Sequence, residues 1–175
     1  HDFYFGGRSE VFKLFARSTE THEIKYIDVC SLYPSCCAFE ELPIGAYTHI
    51  PGYSVDRTRL FHPNRDIKYW GYIRCTVSAP STCKLGLLPL RKDGKLYFPT
   101  SVIMSGCWGL DELELAAQNG YIVMEIFEIY HWNPNQRSNN AFKGYVSYFL
   151  RMKQESEGWK KLGASCATPS EEEQE

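Results

Sequence analysis

The sequence contains no CxxC pair, although it has seven cysteines. Zinc sites are usually marked by such closely spaced pairs, so no zinc centre is expected. The count is also odd, and Cys30, Cys36, Cys37, Cys75, Cys83, Cys107 and Cys166 fall at irregular intervals, unlike a disulfide framework. Reduced thiols in an intracellular protein are expected, several of them serving as small core residues. No apolar run approaches bilayer length, and no basic-then-apolar leader follows His1, so no membrane partner is expected. The opening on His1 reads as a cut. There is no internal repeat, and the only biased stretch is the acidic end from about Gly163, which is expected to be disordered.

A strong basic excess is missing too: the net charge is −2. Distribution says more than the sum. Residues 56–98 carry nine Lys or Arg against three Asp, residues 99–130 carry five acids and no base, and residues 137–161 carry six bases against two Glu. Two basic blocks around an acidic one suit either a phosphate-facing surface or an ordinary solvated one. What is abundant is apolar and aromatic: 43% hydrophobic and 15% aromatic residues in 175 predict a globular domain, or a large piece of one, with a core built on rings.

Residues 23–30 (EIKYIDVC) are β-branched and aromatic and predict a strand. Ser31 offers a cap, and Pro34 falls in the first turn of a short helix running to about Glu40. Residues 51–66 read as a loop and 69–78 as a strand. Residues 86–99 read as a hairpin whose Asp93-Gly94 supplies the positive φ of a tight turn. Residues 111–119 predict a helix, with Asp111 and Glu114 as a capping box and Gly120 past its end. Residues 121–132 alternate as a long strand. A last helix is expected over 141–157, with Phe142, Tyr145, Val146, Phe149 and Met152 on one face. This order suits an α+β fold with a mixed or antiparallel sheet.

The string Asp28-Val29-Cys30-Ser31-Leu32-Tyr33-Pro34-Ser35 carries the chemistry. A carboxylate followed by a sharp turn into a helix sets an oxygen ligand beside amides that lack helical acceptors. Such amides favour anions, and such a carboxylate favours Mg²⁺. Taken alone, Asp28 also reads as a turn or strand-end residue.

The string resembles motif A of family B DNA polymerases, D-x-x-S-L-Y-P-S, at every specified position. Phe5-Gly6-Gly7-Arg8 resembles the Y-x-G-G element that joins exonuclease and polymerase regions in the protein-primed branch. Leu42-Pro43-Ile44-Gly45 resembles the L-P-x-G that follows motif A there. The resemblance covers about residues 4–162 and is nearest to polymerases of viruses and of Polinton or Maverick transposons. It implies an α+β palm segment with an inserted strand, hairpin and helix, in an incomplete fold.

By the same resemblance, Asp28 and the carbonyl of Val29 would bind two catalytic Mg²⁺ ions. The amides of Ser31 and Leu32 would hold a dNTP, and the Tyr33 ring would lie under its sugar and exclude a 2′-OH. Gly6, Gly7 and Arg8 would contact DNA. Template and primer DNA, dNTP and a terminal priming protein are the partners implied. The division implied is 1–50 palm, 51–135 insertion like the terminal-protein region, 136–162 helix toward the fingers, and 163–175 acidic end. The family's D-T-D and K-x-x-x-N-S-x-Y-G motifs do not occur in this sequence. The chain alone is therefore expected to be inactive. A decayed transposon-derived module that binds DNA or protein without catalysis is the other reading.

Overall fold

The structure is a computed structural model, and it describes residues 4–29 and 31–157. The described residues divide between two compact units, one within 1–27 and 43–137, the other within 28–42 and 138–175. In chain order the elements are α1 (Leu32–Phe39), β1 (Leu42–Pro43), β2 (Thr48–Pro51), β3 (Gly71–Ser78), β4 (Leu90–Lys92), β5 (Lys95–Tyr97), β6 (Ile103–Gly109), α2 (Leu110–Gln118), β7 (Ile122–His131), β8 (Arg137–Ser138) and α3 (Lys143–Glu157). The fold is α+β, and its larger sheet is antiparallel throughout.

The first unit is built on that sheet, in the order β2-β7-β3-β6. On β3 the residues alternate, and Ile73, Cys75 and Val77 are buried. On β7 the facing residues are Ile129, Ile126 and Val123, three apart instead of two. The register skips Phe127 and Met124, so each is the extra residue of a β-bulge. The preceding segment accommodates both bulges. Gly52 lies so close that a Cβ there would sit 1.9 Å from the Ile126 carbonyl oxygen. Arg57 donates to the carbonyl oxygens of Val123 at 3.3 Å and Met124 at 2.8 Å. Residues 52–54 and 57–59, expected as plain loop, are 3-10 turns that do this work.

Helix α2 buries Leu110, Leu113 and Ala116 in the same core, beside Trp108 and Met104 of β6. The expected capping box is not formed. Gly109 is the N-cap, and its N–H donates to Glu112 at 3.3 Å. Asp111 and Glu114 instead both receive the Lys68 ammonium. They sit too far into the helix to reach back to a cap, whereas Glu112 stands at the third helical position. Gly120 does lie past the helix end, at φ +92°. Its N–H donates to Ala117 O, and that of Tyr121 to Ala116 O, the paired closure of a Schellman motif.

The β4–β5 hairpin turns through Asp93 and Gly94, both at positive φ, as the Asp-Gly pair predicts. Its entry loop is pinned to the core. Trp108 Nε1–H donates to Pro89 O at 2.8 Å, and the Leu87 N–H donates to the Tyr121 hydroxyl at 2.9 Å.

The strand expected over 23–30 is not formed: residues 23–29 are irregular and exposed, and Cys30 lies outside the described residues. A strand needs a ladder partner as well as β-prone side chains, and none is provided for it among the described residues. In the second unit α1 packs with α3. The apolar stripe expected on α3 is largely solvent-facing, with Phe142, Tyr145, Phe149 and Met152 all exposed. The acidic end lies outside the described residues.

Candidate functional site

In the second unit Asp28 and Val29 precede the start of α1 and are exposed. Ser31 adopts the left-handed conformation, φ 53° and ψ 40°, and turns the chain sharply into the helix. Its hydroxyl makes no cap bond, contrary to expectation, because a side chain caps from extended backbone. The Ser31 carbonyl accepts the Ser35 N–H at 2.9 Å and closes the first turn. Pro34 has no N–H to lose there. The amides of Leu32 and Tyr33 thus sit at the positive end of an eight-residue helix with no side-chain cap. The Tyr33 ring is exposed. Asp28, Val29, Ser31, Leu32 and Tyr33 therefore lie on one short stretch, with a carboxylate residue ahead of a helix start that has no side-chain cap.

The chemistry of this set suits a hard cation and a phosphate. Asp28 and the Val29 carbonyl offer oxygen atoms of the kind such a cation takes, but a single carboxylate is too few for two dications. Among the described residues no group of three or more His, Cys, Asp or Glu is placed to hold a metal. The chain can supply part of such a site.

Gly6, Gly7 and Arg8 belong to the first unit. Both glycines are exposed, and a Cβ on Gly6 would meet none of the described residues within 4 Å. Arg8 is engaged with the protein. It donates to Gly86 O at 2.7 Å, pairs with Glu10, and lies 4.0 Å from the centroid of the Phe98 ring.

The basic block resolves in the same way. Arg57 holds the bulge carbonyls, Arg59 donates to Ile67 O, and Lys68 holds α2. Burial draws the Lys68 ammonium downward, but the hydrogen bonds and charges of Glu114 and Asp111 outweigh it and leave its pKa raised. Arg74 pairs with Glu128, and Arg91 donates to Tyr4 O. Glu128 is held below its ordinary value by the His49 hydrogen bond first, then by Tyr130 and Arg74, against the cost of burial. Lys84, Lys92 and Lys95 remain exposed, in and just before the hairpin. Counting charges along the sequence could not separate these three from the rest. The Asp-Gly turn could have done so, since it puts Lys92 and Lys95 at the tip.

This α+β fold has a known counterpart. A solved structure of Phi29 DNA polymerase matches 73% of this chain with a TM-score of 0.52 at 19% identity, over 22% of that polymerase. The fold is thus that of a polymerase segment. The family described as DNA polymerase type B, organellar and viral, matches residues 1–163, and the chain belongs to it. A probable DNA polymerase of Podospora anserina is 29% identical over 159 residues, which cover 91% of this chain and 12% of that protein. The chain spans about an eighth of the length of that relative.

Proposed function

We propose that the chain is the motif A segment of an intracellular, protein-primed, template-dependent DNA polymerase, and that it contributes part of the catalytic site. The observation that carries this reading is Asp28, exposed on the approach to the uncapped start of α1, in a chain of the type B family. Asp28 and the Val29 carbonyl are the metal ligands. Bound Mg²⁺ would lower the pKa of the primer hydroxyl and support the pyrophosphate leaving group. The amides of Ser31 and Leu32 hold the triphosphate of the incoming dNTP. The Tyr33 ring fills the space below the sugar and turns away a 2′-OH. The Gly6-Gly7 segment faces the template. Residues 51–135 are the insertion that meets primed DNA or the terminal protein, with Lys84, Lys92 and Lys95 as its exposed lysines.

The test is made on the longest open reading frame that contains these residues. With Mg²⁺ and a primed template it should incorporate dNTP, and Asp28→Asn should abolish incorporation. Supplied with a terminal protein, it should label that protein with a nucleotide. The 175-residue chain alone should incorporate none. Incorporation that survives Asp28→Asn would overturn the site. Lack of incorporation by every form, with DNA or protein binding retained, is the outcome of the alternative reading, a transposon-derived module that has lost catalysis.

A further inference from the structure

Two arginines bracket the glycine pair. On one side Arg91 donates to the Tyr4 carbonyl at 2.7 Å, its guanidinium 5.8 Å from the Phe5 ring centroid. On the other, Arg8 donates through Nη1 to Gly86 O at 2.7 Å and through Nε to Glu10 at 2.9 Å. Its guanidinium also lies 4.0 Å from the Phe98 centroid and 5.1 Å from that of Phe12. Glu10 cancels its charge, Phe98 covers a face of its plane, and 26% of its side chain is exposed. A phosphate would have to displace Glu10 to reach it. Arginine used as a bidentate, stacked group is committed to its partners.

The surface that receives these contacts is itself fixed. A Cβ on Gly86 would lie 2.3 Å from Phe98 O, so the loop and the end of the hairpin are in backbone contact. Tyr121 and Trp108 tie the next residues to the core. A continuous set of contacts therefore runs from the buried sheet through the hairpin loop to residues 4–8.

We propose that Arg8 and Arg91 form a latch that holds the Gly6-Gly7 segment on the hairpin loop, and that Arg8 is a positioning residue and not a phosphate ligand. Two adjacent glycines lose much conformational freedom when they are ordered. The latch removes that freedom in advance and couples the segment to the hairpin lysines. Its consequence for DNA rests on the reading given under Proposed function; the latch itself does not.

The experiment uses the 175-residue chain with Arg8→Gln, Arg91→Gln and Lys92→Gln. It reads backbone ¹⁵N relaxation over residues 4–12 and the anisotropy of a labelled primer–template duplex between about 50 and 200 mM salt. Loss of either arginine should lower the order parameters of this segment from about 0.85 to below about 0.6. Both arginine variants should weaken DNA binding at every salt concentration without changing the salt slope. Lys92→Gln should leave the order parameters alone and reduce the slope by about 0.9, as for one phosphate contact. Unchanged order parameters in Arg8→Gln, or a slope reduced by about 0.9 in that variant, overturn the proposal. If the unaltered chain binds no DNA at any salt, the DNA-contact reading fails, while the relaxation measurement still decides the latch.

Discussion

Trp108→Phe is the substitution that best separates the core from what the core supports. Trp108 is fully buried, and its indole N–H is the donor to the buried Pro89 carbonyl at 2.8 Å. Phenylalanine keeps most of the ring and removes that donor. Leaving a buried carbonyl unpaired costs about 1–3 kcal/mol. The three heavy atoms lost from the ring system remove apolar burial and leave a void, for about another 1–2 kcal/mol. Together these give a destabilisation of about 2–5 kcal/mol, or a fall in melting temperature on the order of 10 °C. Far-UV circular dichroism in urea and on heating is the assay, since tryptophan fluorescence changes with the substitution itself. The second readout is local: amide exchange across residues 86–98 should accelerate beyond the global change, because Pro89 loses its tether. A loss under about 1 kcal/mol, or a hairpin no more mobile than before, refutes the reasoning.

His131 is buried, and burial, joined by the charges of Arg59 and Arg137, lowers its pKa below the ordinary 6.5 although contacts at the Trp70 backbone oppose this. A depressed value favours the neutral ring in the folded state. Its contribution is present above 6.5 and is lost as pH falls through the folded value, so the melting temperature should drop more steeply from pH 7 toward 5 in the wild type than in His131→Gln; equal slopes would count against it. Burial pushes the Cys75 thiol up to about 12, with the nearby Cys107 adding to the shift, whereas Cys36 is exposed. At pH 8 an aromatic disulfide reagent should label Cys36 at once and Cys75 only on unfolding, and fast labelling of Cys75 in the folded chain contradicts its placement. Gly52→Ala puts a Cβ 1.9 Å from a backbone oxygen and should cost about 2–4 kcal/mol, whereas Gly144→Ala, in α3 with open space around it, should gain about 0.5–1 kcal/mol; urea titration of the two variants checks the contrast.

Most regular elements were legible because their signals are local. The Asp93-Gly94 turn, the Gly120 closure of α2 and the Pro34 helix start each depend on a few neighbouring residues. Elements set by distant partners were not legible. Residues 23–29 have strand-forming side chains but no ladder. Strand β2 is four residues ending in Pro51, and only its edge position beside β7 makes it a strand. Strand β6 was hidden because Cys107 and Trp108 are consecutive and both buried, which erases alternation. At the site, motif A was read from sequence alone and its helix start was found where expected. The left-handed Ser31 in place of a hydroxyl cap was not foreseen, nor was the occupation of Arg8, since both depend on backbone geometry. The contact of Arg91 with the Tyr4 carbonyl spans 87 positions of sequence, and no pattern in either segment announces it.

The two bulges of β7 give that strand a reserve of length. Ten residues cover a stretch of β3 that eight residues span, and the extra two are Met124 and Phe127. Deleting either would leave Val123, Ile126 and Ile129 facing the same three partners, because the residue removed has no partner of its own on β3. Deleting a residue from β3 would instead turn half of that strand inside out. The sheet therefore tolerates shortening on one strand and not on its neighbour, and length variation among relatives should collect on the β7 side.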